Sequence, residues 1–182
     1  MKLIALFLFG VMALSTSAGA QAPTDAVDKA LLAAPANLRD GATVIRWKSD
    51  FTYETLRKGT NRLVCYDLTG QPERQPFTIE CTSLGNLERV AQNLKFESGG
   101  DKSKTQALLD AAERDGTRVK PEYGSVWYHF MGADRERARA HMTIAVPGAT
   151  AQSIGLPDNN KQGGVWIMNA GTSTAHLMTP GE

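Results

Sequence analysis

The stretch "SVWYHFMGADRERARAHMTIAVP", residues 125–147, decides the fold. Two runs rich in aromatic and β-branched side chains, 125–131 and 140–147, flank the connection "GADRERAR", where Asp134, Arg135, Glu136, Arg137 and Arg139 intermix signs. That pattern predicts two neighbouring strands joined by a solvated loop. Working outward, "VWIMNAG" and "STAHLMTP" follow the loop "GLPDNNKQGG" and read as closing strands. Upstream, "ATVIRW" (42–47) follows an Asp40-Gly41 turn, and "FTIEC" (77–81) follows the loop "QPERQP"; both read as strands. Between them "TYETLR" and "RLVCYD" surround "KGTN", which predicts a hairpin with Gly59 and Asn61 in turn conformations.

Helical periodicity occupies the remainder. "PTDAVDKALLAAP" (23–35) predicts a short helix capped by Thr24, with Asp25 and Asp28 at its positive end and Pro35 as its stop. In "TSLGNLERVAQNLKF" (82–96) the apolar positions Leu84, Leu87, Val90, Ala91 and Leu94 mark one helical face, with Thr82 or Ser83 as cap. "TQALLDAAERDG" (105–116) is a further helix, ended by Gly116. The expected architecture is α+β: a single domain over residues 23–182, mainly antiparallel sheet with two or three helices.

Residues 1–22, "MKLIALFLFGVMALSTSAGAQA", read as a cleaved signal peptide. Lys2 supplies the positive start, Leu3 to Leu14 the apolar run, and Ala20-Gln21-Ala22 the small-x-small cleavage signal. The apolar run is shorter than the roughly 20 residues a spanning helix needs. The mature protein is therefore expected to start near Pro23, to carry no membrane span, and to work in the periplasm or outside the cell. Export also decides how the two cysteines read: Cys65 and Cys81, isolated in an oxidising compartment, predict a disulfide. Without Lys2 the chain has 19 basic and 19 acidic residues. That balance argues against nucleic acid as a partner, which calls for a basic face.

Enzyme motifs are few. There is no G-x-S-x-G elbow, no H-E-x-x-H, no Walker A loop and no G-x-G-x-x-G. Glu54, Glu80, Glu88, Asp110 and Glu113 read as surface charge. The three histidines each have a methionine within two positions: His129 with Met131, His141 with Met142, His176 with Met178. Residues two apart on a strand share a face, so His129/Met131 and His176/Met178 each present an imidazole beside a thioether, a donor set that suits Cu(I). Trp127 would share the face of His129 and add cation–π attraction. His141 and Met142 point to opposite faces. Methionine also fills core gaps, and on that reading Met131, Met142 and Met178 are core side chains. Arg57, Lys58 and Asn61 at the "KGTN" tip either hold an anionic or sugar ligand or serve only the turn, and Trp47, Trp127 and Trp166 either line a pocket or fill the core.

Several segments together resemble a family of uncharacterised exported bacterial proteins: "AAPANLRDGATVIRW", "LRKGTNRLVC", the cysteine at 81, "HMTIAVP" and "LPDNNKQGGVWIM…AHLM". The resemblance implies export, the cysteine pair and the order of strands. It implies no activity, substrate or cofactor.

Three functional expectations follow. The first is an exported protein that binds a small ligand or an envelope or extracellular partner without catalysis. The second is a periplasmic copper-handling protein with His176, Met178, His129 and Met131 as ligands. The third is a hydrolase with a dispersed site using His141 or His176 as base, which requires a histidine in a cleft between a carboxylate and a Ser or Thr hydroxyl.

Overall fold

A computed structural model describes residues 21–179. The expected signal peptide lies, up to residue 20, outside the described residues. Eight strands form one sheet: β1 (Thr43–Trp47), β2 (Tyr53–Arg57), β3 (Leu63–Asp67), β4 (Phe77–Ser83), β5 (Val126–Gly132), β6 (Arg139–Ala145), β7 (Trp166–Met168) and β8 (His176–Met178). Their order is β2-β1-β3-β4-β5-β6-β8-β7. Only β1 and β3 run parallel; every other neighbouring pair is antiparallel. Among the described residues three helices exceed one or two turns: α1 (Gln21–Ala30), α3 (Leu87–Glu97) and α4 (Lys102–Arg114). Short turns of helix, α2 (Ala36–Arg39) and α5 (Ala151–Ile154), complete the α+β fold.

The central strand β3 is apolar on both faces because both are covered. α1 and the turn after it place Ala30, Leu31 and Ala34 against Val44, Leu63 and the Cys65–Cys81 disulfide. On the opposite face Leu87, Val90 and Leu94 of α3, spaced three and four apart, meet Ile45, Val64, Tyr66 and Leu68. Each such side chain, fully buried, contributes about 1.5–3 kcal/mol. The cysteines stand directly opposite on β3 and β4, with Cα atoms 4.1 Å apart, so the bond ties adjacent strands and closes the loop between them.

The expected hairpin between "TYETLR" and "RLVCYD" is not formed. β2 turns back on β1 through residues 48–52, and β3 enters on the other side of β1 in parallel. "KGTN" is therefore a crossover. Gly59 serves close approach: a Cβ there would lie 2.2 Å from the Gly41 carbonyl oxygen. Asn61 donates to the Leu38 carbonyl (2.8 Å) and accepts from the Leu63 N–H (2.9 Å). Arg57 donates to the carbonyls of Ala42 (2.8 Å) and Arg39 (2.7 Å). These two side chains hold the crossover in place.

Caps also differ from expectation. Thr24 lies inside α1, which begins at Gln21. Thr82 and Ser83 belong to β4, and their hydroxyls go to the Val126 carbonyl and to Glu122. α4 starts three residues earlier than predicted because the Asp101 carboxylate accepts from the N–H groups of Ser103 and Lys104.

Candidate functional site

Strand register builds the site. On the α3 side of the sheet, Tyr66, Glu80, His129 and His141 stand opposite one another in a single row across β3, β4, β5 and β6. Glu80, expected on the surface, is 3% exposed. The structure corrects that reading, because alternation along "FTIEC" places it under α3 while Ile79 and Cys81 go to the other face. Its carboxylate accepts from Arg74 (3.2 Å), from the Tyr66 hydroxyl (3.4 Å) and from His129 Nδ1 (3.3 Å). Burial alone would raise its pKa. The Arg74 charge, followed by the hydrogen bond and charge of His129, outweighs burial and holds Glu80 down at about 2. Arg74 also reaches Glu97 of α3 through two hydrogen bonds, at 2.9 and 3.1 Å. Burial and the negative charge of Glu80 push Tyr66 upward, so the phenol stays protonated.

A second polar group faces the first. Arg89 of α3 and Arg118 are 4% and 6% exposed. Arg89 donates to the Val119 carbonyl, to Ser173 Oγ (3.4 Å) and to Thr174 Oγ1 (3.1 Å). Arg118 donates to the side-chain oxygens of Gln92 and Asn93, and its Nε has no partner among the described residues. Burial brings both guanidinium groups down to about 10. The Arg118 charge adds to this at Arg89, while the Glu113 carboxylate opposes it at both and Glu97 does so at Arg118 as well. Glu113, also expected on the open surface, accepts from the Ser173 N–H and hydroxyl (2.5 and 2.6 Å), which fixes the segment leading into β8.

Between the two groups lies a cavity of about 200 Å³, bounded by Glu80, Arg89, Trp127, His129, Thr143 and His176, among others. Both imidazoles are oriented by their inner nitrogen. His129 Nδ1 donates to ionised Glu80, and His176 Nδ1 donates to the Thr174 carbonyl (2.7 Å). Neither Nε2 has a protein partner among the described residues, so each is open to a ligand. His141 lies beyond His129, its ring centroid 5.9 Å away and roughly parallel. Partial burial, then His129 and His176, lower the His141 pKa below its ordinary 6.5.

The sequence-predicted residues are placed as follows. His129 and His176 share the cavity; Met131 and Met178 lie on the same sheet face as their histidines, on β5 and β8, with β6 between. Among the described residues, no three His, Cys, Asp or Glu side chains converge as a metal cluster. The hydrolase reading named His141 or His176 as base; the histidine bonded to a carboxylate is instead His129, His176 bonds the Thr174 carbonyl, and no Ser or Thr hydroxyl bonds to an imidazole nitrogen among those residues. Trp127 lines the cavity. The sequence reading missed Arg74, Arg89 and Glu80; for Glu80 the available signal was a lone charge at an inward position of an apolar strand. Compared with known protein families, curated proteins and solved structures, the chain matches none of them.

Proposed function

We propose that the protein is exported and binds a small molecule bearing an anionic group, without catalysis. The observation that carries this reading is the cavity of about 200 Å³ edged by the buried Arg89 guanidinium, which among the described residues has no direct carboxylate partner. Glu113 is the one carboxylate that opposes burial at Arg89, and it acts on Arg118 as well, whose own charge repels Arg89, so a ligand carboxylate would supply further negative charge there. Trp127 and Val90 offer an apolar wall, and the Nε2 atoms of His129 and His176 accept from or donate to the ligand's polar edge. A cavity of roughly 150 Å³ already accommodates benzene, so the volume suits a compact ligand rather than a peptide.

Benzoate is the first probe, with benzamide as its neutral isostere. Saturation at about 100 times Kd stabilises by roughly 2.7 kcal/mol, which raises Tm by about 5–11 °C for a domain of this size. Benzoate should raise Tm in the wild type and lose its effect in Arg89→Met. Equal responses to benzoate and benzamide, or none to benzoate, acetate and phosphate, would sink the anion reading. Export rests on the apolar run Leu3–Leu14 behind Lys2 and the Ala20-Gln21-Ala22 signal. Expression of the full chain should yield an extracytoplasmic product beginning near Pro23 by N-terminal sequencing.

A further inference from the structure

Away from the cavity ligand, the closing strands carry a second arrangement. β7 and β8 are short, and their register pairs Trp166 with Met178, Ile167 with Leu177, and Met168 with His176. The central pair, Ile167 and Leu177, packs with Val146, Ala149 and Ala175 on one face. Alternation then puts the four flanking side chains, Trp166, Met168, His176 and Met178, together on the other face. Paired residues across the ladder are about 5 Å apart and those two apart on a strand about 7 Å, so the four form one compact square.

Each member has a property that core packing does not require. Met168 is 43% exposed, and Met178, His176 and Trp166 are half-buried. Met131, Met142 and Met178, expected as core filler, are each only partly buried and absent from the apolar clusters under the helices. His176 is already oriented by its Nδ1–H to the Thr174 carbonyl, which leaves Nε2 as a donor atom for a metal. Two thioethers and one imidazole form a soft donor set. It favours Cu(I) over zinc, and unlike a thiolate set it survives in an oxidising compartment. Trp166 pairs across from Met178, so its indole shares the face of the ligand set, where an aromatic ring attracts a cation.

We propose that His176, Met178 and Met168 form a Cu(I) site on the β7–β8 ladder, with Trp166 as its aromatic neighbour. This differs from the pairing read from sequence: the third ligand is Met168, and His129 and Met131 take no part. The site is independent of the cavity reading except that His176 borders both.

The test is an anaerobic Cu(I) competition titration against bicinchoninate on the mature protein, with zinc as control and tryptophan fluorescence followed in parallel. One equivalent of Cu(I) should bind and quench fluorescence, and the quench should disappear in Trp166→Phe. Met168→Leu and Met178→Leu keep side-chain volume and should fold, as circular dichroism will show. Each should weaken Cu(I) binding beyond the roughly 10–100-fold typical of losing even an outer-sphere partner. His129→Asn should leave Cu(I) affinity unchanged, and Met168→Leu should leave the benzoate response unchanged, so the two proposals fail separately. Wild-type affinity in both methionine variants, equal affinity for zinc, or no stoichiometric Cu(I) binding overturns the site.

Discussion

Replacing Glu80 with Gln probes the centre of the polar row. The side chain keeps its shape but loses the charge that faces Arg74 and His129. Glu80 is 3% exposed, and its pKa is held at about 2 against an ordinary 4.5. A gap of that size corresponds to about 3 kcal/mol at 1.36 kcal/mol per unit. Removing one partner of a buried ion pair costs about 3–5 kcal/mol by mutational precedent, which agrees. The folded-state pKa is depressed, so the stabilisation is fully present above pH 4.5 and is lost as pH falls through 2. Urea unfolding of wild type and variant from pH 7 to pH 2 measures this. The stability difference should be about 3 kcal/mol at pH 7, hold to about pH 5, and shrink steadily below that. Glu97 moves the other way: burial raises its pKa despite Arg74, and the variant frees it from the repulsion of Glu80. That relief trims the difference without reversing it. A difference under about 1 kcal/mol at pH 7, or one that does not change between pH 5 and pH 2, refutes the account.

Three further outcomes are expected. Cys65→Ala/Cys81→Ala, which opens a crosslink of sequence separation 16 between neighbouring strands, should lower unfolding free energy by about 3 kcal/mol in urea titration; a loss under about 1 kcal/mol contradicts the chain-entropy argument. Gly59→Ala should cost about 3 kcal/mol because its Cβ meets backbone atoms of Gly41 and Ala42 at 2.2 and 2.4 Å. Gly70→Ala, at φ +79° with nothing within 4 Å, should cost about 1 kcal/mol; equal costs would show that Gly59 is not held by close approach. His141 should titrate below 6.5 by proton NMR, and His129→Asn should raise that value only in part, since burial is the larger cause. Its neutral form is the one the fold favours, so its contribution is present above 6.5 and is lost as pH falls through the folded value. A midpoint at or above 6.5 excludes this environment.

Local chemistry was legible in the chain wherever one segment carried its own answer. The alternating runs 125–131 and 140–147 pair as expected, the periodic apolar face of "NLERVAQNL" packs on the sheet, and the cysteine pair is bonded. Each depends on period, propensity or compartment, which a short window contains. The shared face of His176 and Met178 follows equally from alternation.

Tertiary structure decided which strands become neighbours. "KGTN" has hairpin composition, yet β3 pairs with β1 in parallel, because Gly59 packs on Gly41 and the Arg57 and Asn61 side chains satisfy carbonyls from residues 38–42. Glu80 reads as surface charge until Arg74, Tyr66, His129 and the roof of α3 converge on it from four separate segments. Met168 joins His176 only through the β7–β8 register. Sequence by itself determined what each segment can be, since propensity and side-chain alternation act over a few residues. The partners of a buried charge or of a soft ligand are set by contacts distant in the chain, and only the folded sheet brings those together.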